Sequence, residues 1–172
     1  MPTPKRGQVT IEIVAPPAGV YDMIADITRM GEWSPECFLC EWVGEVHEPV
    51  VGARFQGHNR MGPLRWTTTC QIMTADRGRE FAFTVMHDKN DRESTRWRYC
   101  FSAAEAGTVL SESFEFVWCP LAGRIGELFL PRGRVLRHGL HETLERIRTI
   151  AESNLATADH AVLLPPSRLR PT

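Results

Sequence analysis

The sequence predicts an α+β fold: a curved antiparallel sheet of about seven strands wrapped around one long C-terminal helix, with two short helices after the first strand. Three observations lead there. Leu136, Leu140, Leu144, Ile147 and Ala151 recur at spacings of four, four, three and four, which sets them along one face of an α-helix. Between residues 39 and 118, runs of alternating apolar and polar residues are divided by short turn sequences, the pattern of an antiparallel meander. One alternating run, Val9, Ile11 and Ile13, precedes them and is closed by Pro16 and Pro17. An amphipathic helix and a one-sided sheet each need an apolar surface to lie against, and each supplies the other's.

A chain of 172 residues, 42% hydrophobic and 24% charged, is most simply one globular domain. We place it at residues 7–153 and read 154–172, with Pro165, Pro166, Pro171 and scattered basic residues, as a flexible tail. A net charge of −1 provides no basic field, so nucleic acid is not an expected partner. No run approaches the length of an integral membrane span. Met1 to Val9 holds Lys5 and Arg6 without the apolar stretch of a signal peptide. The expected location is therefore cytoplasmic, with the five cysteines reduced. The oligomeric state is undecided, and a homodimer stays open.

The elements follow in order. After the first strand, Pro17 suits the first turn of a short helix carrying Val20, Ile24 and Ile27, with Tyr21 and Met23 beside them. Gly31 breaks this region, and Ser34 before Pro35 is held extended, giving one helix or two short ones around a bend. Strands are expected at 39–46, 53–59, 65–75, 80–87, 95–103 and 108–118. The turns between them include Met61-Gly62-Pro63, Asp76-Arg77-Gly78, Lys89-Asn90-Asp91 and Ala106-Gly107. The final helix runs from Pro131, a good first-turn residue, to about Ser153, with Asn154 as its stop. Its polar face carries Arg137, His141, Glu145, Arg148 and Glu152.

This order resembles the helix-grip fold of the START-like, or SRPBCC, superfamily, which includes polyketide cyclases/dehydrases and lipid-transport proteins. The likeness is carried by Pro16-Pro17-Ala18-Gly19-Val20-Tyr21-Asp22-Met23-Ile24-Ala25-Asp26, by Trp33-Ser34-Pro35-Glu36, by Val51-Gly52-Ala53-Arg54-Phe55 and by the final helix. It covers about residues 7–153. It implies an apolar cavity between sheet and helix, with Trp33, Pro35 and Glu36 near the mouth. It specifies fold and leaves function open.

Alternation alone names the inward side chains. Phe81, Phe83, Val85 and His87 share one face of their strand, and Trp97, Tyr99 and Phe101 share a face of the next. Leu110, Glu112, Phe114, Phe116 and Trp118 form another such set, as do Trp66, Thr68, Cys70 and Ile72. So aromatic a face is either a filled core or a pocket with polar anchors. The candidate ligand-binding residues are Trp33, which the resemblance sets near the mouth, and Asn59, Trp66, Thr68, Phe83, Val85, Trp97, Phe114, Phe116 and Trp118 from the sheet side. Leu136 and Leu140 face them from the helix. Asn59 is preferred to His58 because it shares the parity of Phe55, and Trp33 also reads as a structural plug. The candidate proton-transfer groups are Glu112, His87 and Tyr99. A carboxyl on an apolar face needs a partner such as Tyr99, Arg65 or His87, or else a raised pKa.

Other motifs carry less. Cys37-Phe38-Leu39-Cys40 lacks the second pair of a zinc ribbon and stands at a strand, where a thioredoxin-like site would open a helix. It reads as one buried and one near-surface thiol. His138 and His141 lack the H-E-x-x-H pattern, so no metal is expected. No glycine-rich phosphate loop or G-x-S-x-G turn appears, and no cofactor is expected. Three functions stay open: carriage of a small hydrophobic or aromatic ligand such as a lipid or polyketide; aromatase/cyclase- or dehydratase-like catalysis; and a protein-interaction or toxin-like regulatory role through Arg92, Arg96 and Arg98.

Overall fold

A computed structural model of the chain describes residues 6–87, 91–118 and 132–162. Strand β1 (Arg6–Ile13) leads into helix α1 (Pro17–Ala25) and a 3-10 helix (Ile27–Glu32). Six strands follow: β2 (Cys37–Val43), β3 (Arg54–Met61), β4 (Leu64–Asp76), β5 (Glu80–His87), β6 (Arg92–Ala104) and β7 (Gly107–Phe116). Helix α2 (Arg132–Val162) closes the chain. All strand pairs are antiparallel, in the order β1-β7-β6-β5-β4-β3-β2. The meander runs strand by strand from β2 to β7, and β1 returns to the free edge of β7.

Local chemistry explains the joints. Asp26 caps the 3-10 helix, its carboxylate accepting from the Thr28 amide at 3.2 Å and the Thr28 hydroxyl at 2.5 Å. The Ser34 hydroxyl accepts from the Cys37 amide at 2.9 Å and so leads the chain into β2. That strand runs two residues earlier than the alternation places it and stops at Val43, before Gly44 at φ +89°. Gly62-Pro63 forms the two-residue link between Met61 and Leu64. The Lys89-Asn90 part of the β5–β6 turn lies outside the described residues, as does Pro131.

Helix α2 buries the whole predicted stripe: Leu136, Leu140, Leu144, Ile147 and Ala151 are each at most 7% exposed. It packs against β1, α1 and β7, and Glu152 accepts a hydrogen bond from the Val14 amide at 3.0 Å. The helix does not stop at Asn154. The segment Leu155-Ala156-Thr157-Ala158 holds no glycine or proline, and the helix continues to Val162. Asparagine ends a helix only where the chain turns left-handed, and nothing here forces that turn. Residues 163–172 of the expected tail lie outside the described residues. Among the described residues no helix is long and apolar enough to cross a membrane.

The inner face of the sheet has two halves. In one, Tyr21 of α1 packs on Phe81 and Phe101, with ring centroids 6.1 and 5.5 Å apart, among Ile13, Ile72, Leu110, Leu144 and Ile147, each at most 1% exposed. This half is filled core. In the other, Phe55 meets Phe83 edge-on at 5.2 Å and Phe83 stacks on Trp97 at 6.5 Å, and the space beneath them is open.

Candidate functional site

The open half is a cavity of about 820 Å³ between the sheet and the N-terminal part of α2. Its sheet wall takes Phe55, Gly57 and Asn59 from β3, Trp66, Thr68 and Cys70 from β4, and Phe83 and Val85 from β5. Strand β6 adds Thr95, Trp97 and Tyr99, β7 adds Glu112 and Phe116, and β2 adds Cys37 and Cys40. The helix wall is Val135, Leu136, Gly139, Leu140 and Thr143. Exposed members of the lining, Pro35, Arg60, Gly62, Arg65, His138 and Glu142, mark the rim.

The boundary between filled and open halves crosses the sheet in a line. Two residues along each strand separate Ile72 from Cys70, Phe81 from Phe83, Phe101 from Tyr99 and Leu110 from Glu112; the first of each pair is core and the second lines the cavity. Because strand side chains alternate, one step of two keeps the face and changes the environment.

Glu112 stands on that boundary. It is 2% exposed and lies opposite Tyr99 in the β6–β7 ladder. The Tyr99 hydroxyl donates to its Oε1 at 2.7 Å, while Oε2 is buried with no hydrogen-bond partner among the described residues. Burial pushes the Glu112 carboxyl up to about 8, and the Tyr99 hydrogen bond draws it back only in part. At neutral pH this carboxyl therefore keeps its proton. Burial, and then the neighbouring carboxyl, hold the Tyr99 phenol well above its usual range, so Tyr99 remains a donor.

Asn59 faces the cavity and is held by its amide, which donates to the Gly57 carbonyl at 2.9 Å and the Thr68 hydroxyl at 3.2 Å. His58 is turned to the other face, where it meets Glu41 at 3.2 Å. Four residues named from the sequence stand outside the lining. Trp33 is 1% exposed and packed in the core, its indole N–H without a partner among the described residues. Phe114 lies over Gly7, its partner on β1; a Cβ at Gly7 would come within 2.6 Å of the ring, so the ring fills the space the glycine leaves. His87, at the end of β5, sets its ring edge-on to Trp118 at 5.1 Å, and Arg92 covers the same indole at 4.8 Å. The nearby bulge belongs to β6, where Ser94 is the extra residue between Glu93 and Thr95 and its carbonyl accepts from the Val117 and Trp118 amides at 2.8 and 3.1 Å.

Several wall residues are not named from the sequence, among them Gly57, Thr95, Val135, Gly139, Thr143 and a pair of cysteines. Cys37 and Cys40 are 6% and 2% exposed, with sulfurs 3.3 Å apart. Residues three apart on a regular strand face opposite ways, hence the expectation of one buried and one near-surface thiol. A register shift between Cys37 and Leu39 turns both inward and overturns it. The basic residues of β6 are locally matched: Arg96 pairs with Glu93 at 2.5 Å and Arg98 with Glu80 at 3.2 Å.

Comparison with known proteins agrees with this architecture. The family described as polyketide cyclase/dehydrase and lipid transport matches residues 5–152. A Polyketide_cyc-like protein from Corynebacterium glutamicum, solved in solution, is 35% identical; the match covers 93% of this chain and 99% of that one, with a TM-score of 0.61. The di-domain ARO/CYC protein StfQ of the steffimycin biosynthetic pathway matches 88% of this chain and 52% of its own at 15% identity, TM-score 0.69. A Mesorhizobium loti protein matches 86% and 97% at 14% identity, TM-score 0.63. At those lower identities the likeness is one of fold. No curated protein matches. With a family match over nearly the whole described fold and a relative at 35% identity, the chain belongs to the polyketide cyclase/dehydrase and lipid transport family of the START-like (SRPBCC) superfamily.

Proposed function

We propose that the chain binds a small, largely apolar molecule, a lipid, polyketide or aromatic compound, between its sheet and helix α2. The observation that carries this reading is the cavity of about 820 Å³ with a mainly aromatic and aliphatic wall. That volume lies within the roughly 300–1,000 Å³ of small-molecule sites. The inner polar pair orients the ligand. A protonated Glu112 has a donor to give, its Oε2 has no partner among the described residues, and a ligand carbonyl or hydroxyl oxygen is the group that would satisfy it. The family description, which includes lipid transport, supports the same reading.

The test is native mass spectrometry of the purified protein, with extraction of any co-purified molecule, and titration with apolar fluorescent probes. Leu136→Trp, which places an indole in the cavity, should abolish probe binding while leaving the circular dichroism spectrum unchanged. An empty wild-type protein that binds none of the probes would overturn the proposal.

A second reading is favoured by one observation: a cavity carboxyl that holds its proton at neutral pH, beside a phenol, meets the requirement for general acid–base catalysis. In that reading Glu112 and Tyr99 would move protons on a bound poly-ketone chain, and the wall would hold the chain in a reactive shape. If the extracted molecule is turned over, Glu112→Gln should lower kcat by about 100-fold or more. An unchanged kcat would remove Glu112 from the chemistry.

A further inference from the structure

The cysteine pair in the cavity wall has no part in either reading, and its geometry is specific. Cys37 and Cys40 belong to one strand, yet the register shift between Cys37 and Leu39 brings their sulfurs to 3.3 Å, a non-bonded contact one short movement away from a disulfide. Both sulfurs border the cavity, which opens at its rim. Cys70 also lines the cavity but has no second cysteine sulfur within bonding contact among the described residues, and Cys100 is absent from the lining. Among the described residues, no group of three histidine, cysteine or acidic side chains gathers around the pair.

We infer that Cys37 and Cys40 form a reversible dithiol/disulfide site, oxidised by hydroperoxides that reach the cavity. The two sulfurs differ in role. Cys37 is the more exposed of the two, at 6% against 2%, and hydrogen bonding from Cys40 lowers its thiol below the usual range. Cys37 is thus the attacking thiolate and Cys40 the resolving thiol. The Cys37 sulfur attacks one peroxide oxygen, the O–O bond breaks, and the departing alkoxide or hydroxide takes up a proton, leaving Cys37 as a sulfenic acid. The Cys40 sulfur then attacks the Cys37 sulfur, the S–O bond breaks, and hydroxide leaves with the Cys40 proton as water. Two thiols lose two electrons and two protons, and the hydroperoxide becomes an alcohol, or water, plus water. The site stands whether or not the cavity also carries an apolar ligand, because hydrogen peroxide needs no apolar affinity to enter.

Cys70 is a built-in control. Burial pushes its thiol up to about 12, so it should resist the same oxidant. The experiment is a hydrogen peroxide time course on the full chain, with differential thiol labelling and peptide mass mapping of all five cysteines. The expected result is a Cys37–Cys40 disulfide, reversed by dithiothreitol and formed on the order of tenfold faster than oxidation of Cys70 or Cys100. In Cys40→Ser the reaction should stop at a sulfenic acid on Cys37 that dimedone traps. The inference is overturned if Cys37 and Cys40 stay reduced while other thiols oxidise, or if mapping finds either joined to a different cysteine. Dimedone adducts on cysteines other than Cys37 in Cys40→Ser would overturn the assignment of roles. The wild-type map decides the main point even if a variant folds poorly.

Discussion

Replacing Glu112 with glutamine tests the state of the site without any ligand in hand. In the unfolded chain the carboxyl titrates near 4.5, and in the folded protein burial moves it to about 8. The folded state therefore holds more protons than the unfolded state between those values, and stability must fall as pH rises through that window. A move from 4.5 to about 8 is a factor of roughly 3,000 in the ionisation equilibrium, of order 5 kcal/mol once the group is fully ionised. At pH 7 the cost is of order 3 kcal/mol, a large share of the 5–15 kcal/mol typical of a whole domain. Glutamine keeps the shape and the acceptor for Tyr99 and cannot ionise.

The assay is urea unfolding of wild type and Glu112→Gln at pH 5, 7 and 9. The stability difference in favour of glutamine should widen by about 4 kcal/mol from pH 5 to pH 9, because only the wild type carries the titrating group. Comparing the two chains at each pH cancels every other ionisation they share. A difference that stays flat within about 1 kcal/mol across that range would refute the reasoning: Glu112 would then ionise as it does in the unfolded chain, and the neutral donor on which the orienting role depends would not exist.

Tyr99→Phe removes the hydroxyl that draws the Glu112 titration downward, so a pH titration should find its midpoint still higher, with about 1–3 kcal/mol of stability lost below it. Leu144→Ala empties a fully buried position in the filled half and should cost about 2–5 kcal/mol by denaturant unfolding. Gly107→Ala should lower the melting temperature sharply, because a Cβ there would lie 2.2 Å from the Ile13 carbonyl oxygen and force β1 off the end of β7. Arg77→Ala breaks the paired contacts with Asp22 at 2.5 and 2.6 Å, but both side chains are about half exposed or more, so the melting temperature should hardly move.

The fold was legible because its signals are periodic and mutually consistent. A stripe at helix spacing, six alternating runs and their turn sequences permit few arrangements, and the observed strands differ from the expected ones by a few residues at their ends. The site was legible to the extent that alternation holds. It aligns Phe83, Trp97, Tyr99 and Glu112 on one face, and they stand on one face here. Alternation fails wherever a strand takes or loses a residue, and such a shift has no local spelling. The one at Cys37/Leu39 turned both thiols inward. Phe114 escaped for a different reason: its ring is committed to Gly7, a neighbour more than 100 residues away in sequence, which no window along the chain would bring together.

The same periodicity cannot say whether an aromatic face is packed or hollow, and the structure divides the question in two. Tyr21 is the difference. Helix α1 carries it onto Phe81 and Phe101 and closes that half of the sheet, while α2 lays Leu144 and Ile147 over the same half. Nearer its N-terminus the helix lines the cavity with Thr143 and Gly139 beside Leu136 and Leu140, Pro35 standing 3.3 Å from where a Cβ on Gly139 would lie, and a threonine leaves volume that a leucine would fill. An open cavity forgoes the contacts a packed core would make, and a buried carboxyl at its inner boundary adds the ionisation cost worked out above. Both can persist only because the filled half is complete. On this argument the two halves respond differently to substitution. Deletions in the packed half, as at Leu144, should act mainly on stability, whereas changes at Leu136 or Leu140 should act mainly on what the cavity holds.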